Sequence, residues 1–429
     1  MKKLLAVISC LLVLLGGLGI YIFIQYESLD TTAIPVVSIQ LEGQRVTAVH
    51  RSFWARAVWG LPSKELTDAE GGVSIMVTAQ RPQLQVTAPE GAEPVVTLLR
   101  GEETLFTGTV EEWNERQAFT YSENGDYLLR VEGRIDGKEA GNGFFTAYQP
   151  FMLNIPRPEP VLSLAPQSVQ QGGVALLRAQ YYPEDTVIEA ESALGPVTFV
   201  KADEDTWEAL IPAGYLQQPG EYAVNVKAGE RETSLTLQVE KRDFEVQYLE
   251  VDETVTNETW DSAAANWEFS QKVVPFYYTA DAGMYWEKQY TFPLKCDYKI
   301  STPFGVIRYI NDDPSPARHG AWDFAVPLGT PVYAPADGKV EVAEFLQLSG
   351  NTVVIEYGGG LKSYFYHMDS LDVEPGQLVR QGDKLGEVGT TGFSTGPHLH
   401  CEFKIGKNSI DPWPLFDGTS PILKKEREG

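Results

Sequence analysis

Gly396-Pro397-His398-Leu399-His400-Cys401-Glu402-Phe403, GPHLHCEF, sets two of the chain's five histidines one residue apart. On a helix, residues i and i+2 diverge and cannot share a ligand. On a strand they point to one face, with Cα atoms roughly 6–7 Å apart. Gly396-Pro397 punctuates the chain, and Leu399, Cys401 and Phe403 then alternate with His398, His400 and Glu402. The alternation predicts a strand whose polar face carries those two histidines and the glutamate. An isolated H-x-H has too few ligands for a metal site and reads as a solvated strand face. Its meaning rests on the rest of the chain.

Four of the five histidines fall between residues 319 and 400. In Arg318-His319-Gly320-Ala321-Trp322-Asp323-Phe324 the histidine and aspartate are four residues apart. Along an extended strand they would lie roughly 13 Å apart, too far for one ion. Gly320 supplies a sharp turn that could join them. A neutral imidazole and a carboxylate are good zinc ligands, and one histidine of the H-x-H completes a set of three, the count for a catalytic zinc. The other histidine of the pair then stands beside the bound water as a proton-transfer group. His367 ends the aromatic run Ser363-Tyr-Phe-Tyr. Alone it reads as structural; beside the other three it reads as a stabiliser of a developing oxyanion.

Residues from roughly Pro293 to Phe416 resemble the catalytic domain of lysostaphin- and LytM-like zinc metallo-endopeptidases, which cut peptidoglycan cross-links. The segments that carry the resemblance, in order, are His319-x-x-x-Asp323 with Phe324-Ala325, Gly329-Thr-Pro-Val332, Ala336-Asp-Gly-Lys-Val340, Tyr366-His367-Met368, Pro375-Gly-Gln, Gln381-Gly-Asp and Gly392-Phe-Ser-Thr-Gly-Pro-His-Leu-His400. The resemblance implies one zinc ion per chain held by His319, Asp323 and His400, with His367 and His398 as the catalytic pair. It implies a compact antiparallel β domain of the duplicated hybrid motif type, and peptidoglycan stem and cross-bridge peptides as substrate. Three departures stand out. Ala321 replaces a frequent glycine, Cys401 replaces a usual aromatic, and Phe304-Gly-Val-Ile-Arg308 is one residue longer than the family's Phe-Gly-x-Arg, so no role is carried onto Arg308. Glu402 reads equally as a partner orienting His400 and as a solvated or structurally bonded carboxylate.

Lys2 and Lys3 precede 21 uncharged residues, Leu4 to Ile24, a span of roughly 32 Å as a helix. The lysines favour an inside N-terminus and an outside remainder. A cleaved signal peptide needs an A-x-A-like site, and Val7-Ile8-Ser9-Cys10 comes too early in the run for a lipoprotein site. The expectation is a retained single-pass anchor in the cell membrane, with an extracellular catalytic domain. A net charge of −25 argues against nucleic-acid binding, which needs a basic footprint. Three cysteines make no disulfide framework, and only Cys296 and Cys401 could pair.

From about Val36 to Glu240, short alternating runs bounded by Gly, Pro, Asn and Asp predict β structure. Gly125-Asp-Tyr-Leu-Leu-Arg-Val131 returns as Gly220-Glu-Tyr-Ala-Val-Asn-Val226, 95 residues later, a period that suits two tandem immunoglobulin-like sandwiches. Pro156-Arg-Pro-Glu-Pro160 reads as a stiff linker. The chain is therefore expected to be mainly β: an anchor (1–26), two immunoglobulin-like domains (36–155 and 156–242), a connector with a short helix within 257–274 (243–292), and the metallo-endopeptidase domain (293–420). A serine hydrolase built on Gly392-Phe-Ser394-Thr-Gly396 is disfavoured, because Pro397 and a strand follow where a helix is required. The rival reading is a catalytically inactive wall-binding or regulatory relative, although all five chemical positions are present.

Overall fold

The computed structural model describes residues 2–27, 34–45, 50–56, 63–68, 73–137, 141–251, 253–260, 262–283, 289–311 and 315–423. The chain is mainly β and divides into two compact units, Met1–Pro158 and Glu159–Gly429. The division falls inside the Pro-rich linker.

In the first unit, helix α1 (Lys2–Glu27) exposes nearly all of its apolar side chains. It is the one described helix long and apolar enough to cross a membrane. The stretch just past it, where a cleavage site would stand, includes 28–33, outside the described residues. A seven-stranded sheet centres on the hairpin Gly125–Gly137/Gly141–Leu153, beside a three-stranded sheet. Tyr127, Leu129 and Val131 point inward at alternate positions, as a half-buried strand requires. The short helix α2 (Val110–Glu115) opens on a capping box, Thr109 with Glu112, and buries Trp113 in the same core.

The second unit begins with a two-sheet sandwich. One sheet has four strands and the other five, and Leu164, Leu177, Ile211, Val224 and Leu237 fill the space between them. The sequence repeat has a structural counterpart. Tyr127 and Tyr222, at matching positions, each donate their hydroxyl to the carbonyl four residues upstream, Glu123 at 2.5 Å and Gln218 at 2.7 Å.

Strand Gly173–Gln180 is buried on both faces. Ala175 and Leu177 enter the sandwich core, while Val174 and Leu176, with Leu210, join the core of the C-terminal sheet. The sandwich and the C-terminal sheet are thus one continuous packing unit, latched by an Arg242–Asp411 ion pair at 2.8 Å.

The segment after the sandwich carries β1 (Val246–Leu249), α3 (Glu253–Glu258) and α4 (Ala263–Lys272). The helix expected within 257–274 is α4, which starts on its Ser262 cap, while α3 lies upstream and overlaps that span only at its end. The helical structure runs on through Pro275 as a 3-10 turn, because proline is tolerated in a first turn.

The C-terminal sheet contains β2 (Lys299–Thr302), β5 (Ala321–Ala325), β6 (Gly338–Leu346), β7 (Gly350–Glu356), β8 (Leu361–Leu371), β9 (Leu378–Val379) and β10 (His398–Ile405), with β11 (Asn408–Ile410) paired to β10. Its main path runs β2-β5-β10-β8-β7-β6-β9, antiparallel throughout. Beside it, β3 (Ile307–Ile310) pairs with β1 in parallel and with β4 (Ala317–Arg318) in antiparallel register.

Candidate metal centre

Strand pairing assembles the centre. In the β5–β10 register Asp323 lies directly opposite His400, and Ala325 opposite His398. Directly opposed residues share a face, so one carboxylate and two imidazoles meet on one side of the sheet. His319 enters from the two-residue break between β4 and β5, held by main-chain bonds with Gly305 and Val306. Gly320 has a different role from the one its sequence suggested. Its φ is not positive, and a Cβ there would come within 2.6 Å of Glu402 Oε1 and 2.7 Å of Ser409 Oγ. It provides room for Glu402 rather than a left-handed turn.

Three atoms converge. Asp323 Oδ1 lies 3.1 Å from both His319 Nε2 and His400 Nδ1, and the two nitrogens are 3.3 Å apart. Ligand atoms about 2.0–2.1 Å from a tetrahedral zinc are themselves about 3.3–3.4 Å apart, so the spacing fits one ion. The buried Nδ1 of His319 and Nε2 of His400 have no hydrogen-bond partner among the described residues. Nothing on their far sides fixes a tautomer that would turn a proton toward the convergence point. Burial pushes His319 down to about 4, so it is neutral at pH 7, the form that binds metal. Burial pushes Asp323 up, but His319 and His400 outweigh it and hold the carboxyl well below its ordinary value. A neutral histidine and an ionised carboxylate are the states a zinc site needs.

The remaining two histidines face the same point. His367 breaks strand alternation. Tyr366 lies opposite His400 and stacks on its ring at 4.8 Å, so the next residue in a regular strand would point away. His367 instead adopts φ 63°, and its ring sits 4.9 Å from that of His398. A non-glycine residue at positive φ is a strained arrangement kept by its surroundings, here the His367 N–H bond to Ser349 and the ring bond to Thr391. Nδ1–H of His367 donates to the Thr391 carbonyl, and Nδ1–H of His398 to the Gly396 carbonyl, each at 2.8 Å. Both rings therefore turn Nε2 away from those bonds, and that of His398 lies 3.8 Å from Asp323 Oδ1. Burial, with His398 and His400 adding to it, holds His367 well below its ordinary value. Ser394 Oγ lies 3.4 Å from His398 Nδ1, a nitrogen whose proton is already committed, so no Ser–His nucleophile forms.

Two readings that the sequence left open take one form here. Glu402 does not bond His400; it accepts from Lys404 and Ser409, both at 2.6 Å. Cys401 is buried and Cys296 exposed, and both are free. One residue was missed. Arg308, on β3, donates to Asp323 Oδ2 at 2.7 Å and to Thr302 Oγ1 at 2.6 Å. The Phe-Gly-x-Arg resemblance was the available pointer, and its extra residue hid it.

These residues line a cleft of about 650 Å³. Its walls include Tyr215 from the sandwich, Gln247 from β1, and Trp260 and Phe269 from the helical segment. Trp260 packs on Phe393 at 5.3 Å.

Residues 317–412 match peptidase family M23. The C-terminal region of this chain is an M23 peptidase domain. Among curated relatives, the peptidoglycan DD-endopeptidases ShyB and ShyA of Vibrio cholerae are 43% and 35% identical, over 93 and 136 residues. The ShyB match covers 22% of each chain and the ShyA match 32% of each. The chain thus spans about a third or less of the length of these relatives. The catalytic domain of lysostaphin from Staphylococcus simulans is 30% identical, with a TM-score of 0.26, over 28% of this chain and 91% of that one. A putative M23 peptidase from Pseudomonas aeruginosa is 28% identical with a TM-score of 0.43, over 58% of this chain and 95% of that one.

Proposed function

We propose that this protein is a membrane-anchored zinc metallo-endopeptidase that hydrolyses peptide cross-links of bacterial peptidoglycan outside the cell membrane. The observation that carries the reading is the convergence of His319 Nε2, Asp323 Oδ1 and His400 Nδ1 on one point, with His367 and His398 beside it. The DD-endopeptidase names of the Vibrio relatives support peptidoglycan as the substrate. Helix α1 and the lysines before it support the anchor and the outside location of the rest.

His319, Asp323 and His400 would hold one zinc, which supplies a water of lowered pKa and polarises the scissile carbonyl. His398 and His367, each with its Nδ1 proton committed to a main-chain carbonyl, hold Nε2 ready to accept the proton of the attacking water and return it to the leaving amine. One of the two serves as that base, and the other, when it carries a proton on Nε2, donates to the tetrahedral oxyanion. Arg308 occupies Asp323 Oδ2 and so keeps Oδ1 directed at the histidines. Tyr366 and Phe269, edge to face at 6.1 Å, form an apolar part of the cleft wall.

We read the β regions 36–155 and 156–242 as immunoglobulin-like spacer or contact modules, on the support of the repeated Gly-x-Tyr hairpin and its matching hydroxyl bonds. Residues 243–292 are then the connector and 293–420 the catalytic domain.

The test is elemental analysis plus digestion of purified peptidoglycan by the full chain in detergent, with products identified by mass spectrometry. One zinc per chain and chelator-sensitive release of cross-linked peptides are expected. Zinc-loaded protein that binds peptidoglycan and cuts nothing would overturn the enzyme reading in favour of an inactive wall-binding relative.

A further inference from the structure

The charged side chains lining the cleft form a nearly closed account. Arg308 pairs with Asp323 at 2.7 Å, and Lys404 with Glu402 at 2.6 Å. The lining cation left over is Arg318, which makes no ion pair among the described residues. Its Nε and Nη2 are buried and have no acceptor among the described residues. This is conspicuous in a chain with 59 acidic and 34 basic residues, where carboxylates are in surplus.

The guanidinium is held in place. Its central carbon lies 4.9 Å from the Phe244 ring and 5.4 Å from the Tyr215 ring. These rings come from the connector and the sandwich, so two other segments hold the arginine against the cleft. Cation–π contacts offset part of the lost hydration, but they satisfy none of the N–H groups. A half-buried guanidinium with unmade hydrogen bonds is costly. Nε and Nη2 are closed to a ligand in this arrangement, but Nη1 is not among the sealed atoms, and it is the nitrogen that can donate a charge-assisted hydrogen bond to a carboxylate entering the cleft.

We propose that Arg318 is a specificity residue that binds a free carboxylate of the peptide substrate, one residue along the chain from the candidate ligand His319. The inference rests on the proposed hydrolase reading and narrows it. The preferred substrates are peptides carrying an ionised carboxylate close to the scissile bond, and their amidated counterparts are poor. Two sources of that carboxylate exist in a cross-linked peptide, a chain-terminal α-carboxylate and an internal side-chain or isopeptide-adjacent carboxylate. A positioning role in catalysis is not required of Arg318; it acts on which peptide is held.

The experiment uses the full zinc-loaded chain and three synthetic cross-linked peptides: the free acid, the form amidated at its terminal carboxylate, and the form amidated at its internal carboxylates. One amidated form is expected to lose about 10- to 100-fold in kcat/KM, mainly through KM, the scale of a hydrogen-bonded charge. Which form loses identifies the carboxylate. Arg318→Gln is expected to cleave all three at the rate of that poor substrate, with zinc content unchanged, and Arg318→Lys to recover part of the preference. A purely structural Arg318 would lower all three equally and leave the preference intact. Equal cleavage of all three by the wild-type protein overturns the carboxylate site while the hydrolase reading stands. Cleavage of none by zinc-loaded wild-type protein overturns the hydrolase reading and this inference with it. The wild-type comparison needs no variant to fold.

Discussion

Arg308 and Asp323 share a charge across two sheets: Nη2 donates to Oδ2 at 2.7 Å, while Oδ1 faces His319 Nε2 and His400 Nδ1 at 3.1 Å each. The guanidinium is braced by Thr302 Oγ1 at 2.6 Å and Gln247 Oε1 at 3.3 Å. The connector strand β1 therefore reaches the centre through one arginine. Arg308→Gln is expected to lower zinc affinity by about 10- to 100-fold, the usual scale for a group that orients a ligand. Competition with a calibrated chelator measures it, and an unchanged affinity would remove Arg308 from the support of Asp323.

His400 and His398 should fail differently on substitution. His400→Ala is expected to lose zinc and activity together. His398→Ala should keep zinc and lose turnover by roughly 10²–10⁴-fold, and His367→Ala should keep zinc with a loss on the order of 10²–10³-fold. Elemental analysis and peptide cleavage on the same preparations decide. A zinc-free His398→Ala beside a loaded His400→Ala would reverse the assignment.

Acid should weaken the metal-free protein. His319 sits at about 4 when folded because it is buried, against about 6.5 in the unfolded chain. Between those values the unfolded chain binds more protons, so stability rises with pH across the window and falls as pH drops toward 4. His367 is displaced in the same direction. The His319 contribution is at most on the order of 3 kcal/mol. Urea midpoints of chelated protein at pH 5 and pH 7.5 should differ with that sign, and the difference should shrink in His319→Asn. Equal midpoints would contradict the burial-driven shift.

The two cysteines beyond α1 should differ in reactivity. Cys296 is exposed, and Cys401 lies fully buried between Leu399 and Phe403 with its thiol pushed up by burial. Iodoacetamide under native conditions should label Cys296 and spare Cys401 until the protein unfolds. A non-reducing peptide map that joins the two would refute the free-thiol arrangement.

The shared core predicts coupled folding. Leu210 belongs to the sandwich yet packs with the C-terminal sheet, at 1% exposure. Leu210→Ala is expected to cost about 2–5 kcal/mol. It should shift one common transition for the sandwich and the M23 domain in a thermal melt. Two separate transitions, only one of them moved, would show that the shared core does not couple them.

The shared face of His398 and His400 could be read from the amino-acid order, because a strand's two-residue period is a local property, whereas the grouping of His319, Asp323 and His367 with them rested on the resemblance. H-x-H on an alternating run puts His398 and His400 on one face whatever surrounds it, and α1 follows from an uncharged run of sufficient length. The seam between sandwich and catalytic sheet was not legible. Gly173–Gln180 is buried on both faces, and no local pattern names the partner of its second face. Arg308 was missed for a related reason: its braces Gln247 and Asp323 are 61 and 15 residues away, and an inserted residue changes which face of a strand a side chain takes. The turn of His367 toward His398 depends on a backbone angle of φ 63°, held by main-chain bonds to distant loops. Pairing register and long-range hydrogen bonds are properties of the folded chain. They decided which atoms converge, which proton each imidazole keeps, and which arginine is left without an acceptor.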